Sequence, residues 1–333
     1  ARREGGKARE DHRLVLIRED HDMKSPMEDL LDTAEKIRSM EIRGAALIGR
    51  AAARALKEFA LSIEPSDLAE FNAEVGQAAD ILLNTRPTAV SLANAIRMVM
   101  RRRGDDLESA RRSLAENADD FVERSLLAVE RIGEIGSRRV RDGDVILTHC
   151  NSSVALSIIK TAFDAGKDIK VIATESRPRY QGHLTIKTLD GWGITTELVV
   201  DSAVRTVINE VDEVIVGADV ITANGSLVNK IGTSQIALAA HEARTSFMVA
   251  AETYKFSPET MMGELVPIEM RAAEAVYPGI SEFKHVRVRN PAFDVTPHQY
   301  IDVICTEVGA IPPEMSYLVI KEMLGWEMEG RIK

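Results

Sequence analysis

From Met27 to Ile135 the apolar positions recur at helical spacing. Met27, Leu30, Leu31, Ala34 and Ile37 stand at i, i+3, i+4, i+7 and i+10, one face of an amphipathic helix. Ala45–Leu61 and Leu107–Ile135 carry similar stripes, and no convincing strand interrupts them. Breaks fall at Arg43-Gly44, at Glu64-Pro65-Ser66 and at Thr85-Arg86-Pro87-Thr88. The pattern predicts a helical domain of four to six helices over residues 21–141, after a charged, aperiodic and flexible lead over residues 1–20.

At Asp142-Gly143-Asp144 the pattern changes. Short β-branched runs, Val145–Thr148, Ile169–Thr174, Thr195–Val200, Glu213–Val216 and Phe247–Ala251, alternate with helix-like stretches. Those stretches are Ser153–Ala165, Gly182–Trp192, Ala203–Glu210 and Thr233–Arg244. Such alternation predicts an α/β fold, a Rossmann-like doubly wound parallel sheet filling residues 142–333. The tail, Pro297–Trp326, reads as a helix, a short strand near Val308–Ile311 and a closing helix.

Ligands of open parallel sheets bind beyond the carboxyl ends of the strands. The residues there are His149-Cys150-Asn151-Ser152-Ser153, Glu175-Ser176-Arg177-Pro178, Gly217-Ala218-Asp219 and Glu252-Thr253-Tyr254-Lys255. Cys150 precedes a run suited to capping a helix, and a helix N-terminus lowers a thiol pKa and attracts anions. Cys150 is therefore either a reactive thiol or a small core residue. Asp219 is either a reacting carboxylate or a turn cap. His149 points to the opposite strand face from its neighbour and reads as a core histidine rather than half of a Cys–His pair. Asn229-Lys230-Ile231-Gly232-Thr233 opens the next helix, and there Lys230 either grips an anion or is simply solvated. Arg43 and Arg86, each at a predicted helix start, present the same two options.

Composition narrows the classes. A formal net charge of −10 disfavours a nucleic-acid partner, and no apolar run is long enough to span a bilayer. Two cysteines, Cys150 and Cys305, and no secretory signal predict a reducing, cytoplasmic setting. There is no G-x-G-x-x-G loop, P-loop, H-E-x-x-H or paired C-x-x-C. The sheet is thus expected to bind a phosphate-bearing ligand without a redox cofactor.

Several ordered motifs then identify a resemblance. Arg43-Gly44-Ala45, Thr148-His149-Cys150-Asn151, Glu175-Ser176-Arg177-Pro178 with Gln181-Gly182, Gly217-Ala218-Asp219 with Asn224-Gly225, Asn229–Thr233 and Asn290–Pro297 follow one another. Together they resemble the superfamily of methylthioribose-1-phosphate isomerases, ribose-1,5-bisphosphate isomerases and translation initiation factor 2B regulatory subunits. The regulatory subunits lack the catalytic cysteine and aspartate, whereas both stand here as Cys150 and Asp219. Ala46 follows Arg43-Gly44-Ala45 where methylthioribose-1-phosphate isomerases usually have proline. Ala251–Phe256 is similar to the bisphosphate group, and Lys255 puts a cation where a methylthio group would want an apolar pocket.

The resemblance implies an aldose–ketose isomerase of nucleoside and AMP catabolism that needs no cofactor. In it Asp219 is the acid and Cys150 the base. Arg43, Gly44, Ala45, Arg86, Ser152, Arg177, Asn229, Lys230 and Lys255 bind substrate. The alternatives are a methylthioribose-1-phosphate isomerase and a non-catalytic regulatory subunit. The resemblance further implies a homo-oligomer, a dimer or a hexamer built as a trimer of dimers, without nucleic-acid or membrane partners.

Overall fold

The computed structural model describes residues 25–101, 104–258 and 267–324. The lead expected over residues 1–20 and the end expected for the closing helix, residues 325–326, lie outside the described residues.

Five helices come first: α1 (Pro26–Arg38), α2 (Ala45–Ser62), α3 (Leu68–Leu83), α4 (Val90–Val99) and α5 (Leu107–Ser137). The starts of α1, α3 and α5 are set by side chains that satisfy free backbone N–H groups. Ser25 and Glu28 form a reciprocal capping box on α1, Asp67 caps α3, and Asp106 with Ser109 boxes α5. The predicted stripe of α1 is narrower than its spacing suggested, since Leu30, Ala34 and Ile37 are buried while Leu31 is exposed. Phe71, Phe121, Leu56 and Leu114 fill the centre of this bundle, and Tyr254 enters it from the following half of the chain. The far end of α5 leaves the bundle and lies against α6 (Ser153–Asp164). Gly133 and Gly136 allow that approach, because a Cβ at either would lie 2.3 Å from Ser157 Oγ or 2.4 Å from Ile158 Cδ1.

The second half holds a seven-stranded sheet. Its strands are β1 (Val145–Thr148), β2 (Lys170–Thr174), β3 (Thr196–Val199), β4 (Glu213–Val216), β7 (Ser246–Ala250), β10 (Val303–Thr306) and β11 (Gly309–Ile311). They lie in the order β11-β10-β7-β4-β1-β2-β3, all parallel except the antiparallel edge strand β11. Helices α6, α7 (Gly182–Gly191), α8 (Val204–Val207), α9 (Thr233–Ala243) and α10 (Ser316–Leu324) complete this half. The chain winds outward in opposite directions from β1 and β4, so the switch point falls between those two strands. β10 was not foreseen as a strand: Cys305 and its neighbours are fully enclosed there.

A second, four-stranded sheet was also not foreseen. It consists of β5 (Val220–Thr222), β6 (Leu227–Lys230), β8 (Phe256–Ser257) and β9 (Phe293–Thr296), in the order β8-β5-β6-β9. Asn224-Gly225 turns β5 into β6, and Asn229 pairs in register with Asp294. Asn229 and Lys230 therefore belong to a strand rather than to the opening of α9, whose N-terminal cap is Gly232.

Candidate active site

The loops leaving β1 and β4 meet at the switch point. Gly217 makes this possible, since a Cβ there would lie 2.2 Å from Ser152 Oγ. Ser152 caps α6, accepting from the Ala155 N–H at 3.4 Å. Cys150, two residues earlier, sits in the left-handed region at φ 69. Its N–H donates to Ser176 Oγ at 2.8 Å, and its carbonyl accepts from Thr185 Oγ1 at 2.6 Å. Ser176, also left-handed, is held by Asp201, which accepts from the Ser176 and Arg177 N–H groups at 2.8 and 2.7 Å.

His149 supports this loop from behind. Its Nε2 lies 2.9 Å from the Ile231 carbonyl and must carry the proton. Nδ1 then accepts from the Thr174 or Ser176 hydroxyl. Burial pushes the His149 pKa down, so the ring is a neutral structural link between β1, β2 and the β6–α9 turn.

The electrostatics correct one expectation. The α6 N-terminus does not give a low-pKa thiol: desolvation dominates and pushes Cys150 up to about 11, with Lys230 and the Asn151 N–H only partly offsetting it. Asp219 also acts on the thiol, in the raising direction. The Asp219 carboxyl is itself raised by burial, against the opposing pull of Lys255, Lys230, Arg86 and Arg271 in that order. Burial thus favours the protonated form of Asp219 against the pull of four cations, beside a thiol that burial also keeps protonated.

Each cation is anchored. Lys230 donates to the Ala292 carbonyl at 3.1 Å and lies 5.0 Å from the Phe293 ring centre. Lys255 is buried, its Nζ 2.6 Å from Glu252 Oε2. Arg86 and Arg271 share Glu269, at 2.8 and 2.9 Å. Beside them opens a cleft with about 360 Å³ of empty space, lined by Met40, Pro178, Arg179, Gln181, Lys230, Ile231, Arg271, Ala275, Asn290 and Ala292. Gln181 Oε1 is buried there without a hydrogen-bond partner among the described residues, an acceptor left for a ligand hydroxyl.

Of the sequence-nominated residues, the structure gathers Cys150, Asp219, Arg86, Lys230 and Lys255 into one electrostatic cluster. Ser152 adjoins it through Gly217. Asn229 is buried one residue before Lys230, and its amide donates to Thr233 Oγ1 at 3.1 Å. Arg43 and Gly44 are exposed before Ala45 at the start of α2, a few residues past the cleft-lining Met40. Arg177 turns away: it stacks on Tyr180, its centre 4.9 Å from the ring, and donates to the Val276 carbonyl at 3.2 Å. Arg271, which the sequence did not nominate, is among the cations that act on Asp219. Sequence reasoning missed Arg271 and Glu269, whose one available signal is an i, i+2 alternation around the exposed Met270.

A doubly wound sheet with a thiol, a buried carboxyl and four cations acting on that carboxyl at its switch point has the makings of a site for a small anionic ligand. The chain belongs to the initiation factor 2 subunit family, whose model matches residues 41–313. It is 61% identical to the ribose 1,5-bisphosphate isomerase of Archaeoglobus fulgidus over 90% of this chain and 95% of that one. It is 38% identical to the methylthioribose-1-phosphate isomerase of Acetivibrio thermocellus, over 86% and 89% of the two chains. Among solved structures it resembles the translation initiation factor eIF-2B of Pyrococcus horikoshii OT3, with a TM-score of 0.73 and 33% identity over 86% of this chain and 98% of that one. Among the described residues no helix is long and apolar enough to cross a membrane.

Proposed function

We propose that the protein is an aldose–ketose isomerase that converts α-D-ribose 1,5-bisphosphate to D-ribulose 1,5-bisphosphate. The observation that carries this is the meeting of a buried carboxyl, Asp219, and the desolvated thiol of Cys150 on the loops that leave β4 and β1, with cations acting on both. Six relatives named for this activity, at 41–61% identity, support the choice of substrate over the methylthio sugar, whose named relatives stand at 38%. Lys255 supports it chemically, as a cation suited to a second phosphate.

The 1-phosphate locks the anomeric carbon, so the ring must open before a proton can move between C2 and C1. Asp219 gives its proton to the ring oxygen as the C1–O bond breaks. In the reactive form of the enzyme the Cys150 thiol has first given its proton to solvent, and the thiolate, supported by Lys230, takes the C2 proton, which leaves an enol phosphate with a C1–C2 double bond. Cys150 then returns that proton to C1, and the 2-hydroxyl proton passes back to Asp219 as C2 becomes the ketone. Atoms and protons balance and both residues end as they began. Desolvation serves both: it keeps Asp219 an acid, and it makes the thiolate, once formed, a strong base toward a carbon-bound proton. Lys230 is the cation that supports the thiolate. Arg86, Arg271, Lys230 and Lys255 bind the phosphates, and Asn229 and Gln181 bind sugar hydroxyls.

Purified protein given ribose 1,5-bisphosphate should form the ketose. Cys150→Ser and Asp219→Asn should each lower kcat by on the order of 10²–10⁴-fold with substrate binding retained. Full turnover in Cys150→Ser refutes the assignment of the base. Turnover of methylthioribose 1-phosphate alone assigns the chain to the other isomerase group.

A further inference from the structure

Lys255 reaches the site from a segment that the helical bundle grips. The Asn94 amide on α4 donates to the carbonyls of Tyr254 and Phe256 at 2.7 and 3.0 Å. The Tyr254 ring packs edge-on against Phe121 of α5, with ring centres 5.3 Å apart. From its hydroxyl runs a chain of buried polar groups whose donors and acceptors all match. Arg50 Nη1 donates to Ser125 Oγ at 3.0 Å, and the Ser125 hydroxyl lies 3.0 Å from Tyr254 Oη. Tyr254 Oη then donates to Glu252 Oε1 at 3.0 Å. Glu252 is wholly buried; its Oε2 faces Lys255 Nζ at 2.6 Å and has no other partner among the described residues.

We propose that Glu252 is a positioning residue: held by Tyr254 and Ser125, it shares the charge of Lys255 and so keeps Asp219 able to carry its proton. This rests on the reading of Asp219 as the acid and Lys255 as a phosphate ligand. Lys255 meets Glu252 on its own segment, and it immediately precedes β8, which pairs in parallel with β5 so that Phe256 lies opposite Ile221, two residues past Asp219; its one positive charge therefore acts on both carboxyl groups. Of the cations that pull on Asp219 it pulls hardest, ahead of Lys230, Arg86 and Arg271; Cys150 is a further titratable neighbour. Around Glu252 the other charged neighbour is Glu307, on the β10–β11 turn, which accepts from the Thr253 N–H and hydroxyl. The Glu307 carboxyl is itself raised, by burial first and by Glu252 among the lesser causes, and the cation Arg50 reaches Glu252 only through Ser125 and Tyr254. A carboxylate beside a phosphate-binding lysine weakens its grip on the substrate. That cost makes sense where an adjacent acid would otherwise be drained of its proton.

Glu252→Gln keeps the acceptor for Tyr254 and removes the charge, leaving the lysine's field to fall on Asp219 alone. The ratio of wild-type to variant kcat/KM on ribose 1,5-bisphosphate should rise with pH, by up to on the order of tenfold across the range in which Asp219 ionises, on top of whatever constant change the variant makes in phosphate binding. Glu252→Asp draws the carboxylate back by one methylene and should show the same slope with a smaller rise; it carries the test if Glu252→Gln does not fold. A ratio that is flat with pH, at any height, overturns the proposal, because a merely structural role gives a pH-independent loss. A second readout needs no turnover. The carboxyl carbon resonance of Asp219, assigned by its loss in Asp219→Asn, should titrate at lower pH in Glu252→Gln. An unmoved titration refutes the inference whatever the substrate, whereas absent wild-type turnover with a moved titration refutes only the reading of function.

Discussion

The reactivity of Cys150 gives a direct test of how desolvation and the α6 N-terminus compete. With the thiol pushed up to about 11, little thiolate exists at neutral pH. At pH 7.5 an exposed cysteine of pKa about 8.5 is roughly one-tenth ionised, whereas Cys150 would be ionised about 300-fold less. The thiolate of a weaker acid is a better nucleophile. With a Brønsted coefficient of about 0.45, the gap of about 2.5 pH units returns roughly tenfold. Alkylation of Cys150 by iodoacetamide should therefore run about 20-fold slower than that of an exposed model thiol at pH 7.5, and match it near pH 10. Mass-spectrometric rates on the unliganded protein, with the fully buried Cys305 as internal reference, measure this. Lys230→Met removes the main offsetting charge and should slow the reaction further. Rapid labelling at neutral pH with a plateau below pH 8 would show that the helix terminus outweighs burial, and would refute the reasoning.

Two further outcomes follow from the described geometry. Arg271→Met removes one of the two guanidiniums on Glu269, and loss of a charged hydrogen bond worth about 1.5–3 kcal/mol should raise KM by about 10- to 150-fold with kcat little changed; an unaltered KM argues against a phosphate role. At the opposite rim of the sheet, burial raises Glu213 to about 7 against the Ser246 hydrogen bond. Because the folded state holds this proton more tightly, the penalty is absent below about pH 4.5 and complete above about pH 7. At 1.36 kcal/mol per pH unit the ionised group costs roughly 3 kcal/mol. Glu213→Gln should therefore stabilise the protein by about that much at pH 8 and by nothing at pH 4, read from urea midpoints; equal gains at both pH values would contradict this.

The doubly wound sheet was legible because its strands are buried on both faces. Runs such as Val145–Thr148 and Glu213–Val216 need no alternation to be recognised, and their boundaries match the structure. The same rule placed Cys150 and Asp219 on one rim. The second sheet was hidden because β5 and β8 have three and two residues. Its β6 also ends in Asn229-Lys230, which local chemistry reads as the opening of a helix. Arg271 and Glu269 lie in an irregular stretch between β8 and β9, where no periodicity marks a face. The direction of the thiol shift was misjudged for a different reason: a cap is visible in sequence, but the degree to which tertiary packing strips water from a side chain is not.

The left-handed backbone at Cys150 has a consequence for anyone redesigning this protein. A side chain in that conformation costs about 1–2 kcal/mol, and glycine or asparagine would sit there with less strain. A sequence chosen for this backbone by local preference alone would therefore discard the sulfur. The better-behaved scaffold would be an inert one. At this turn the protein trades conformational ease for a reagent, and a stabilising programme that treats the residue as a flaw would delete the chemistry while improving the fold.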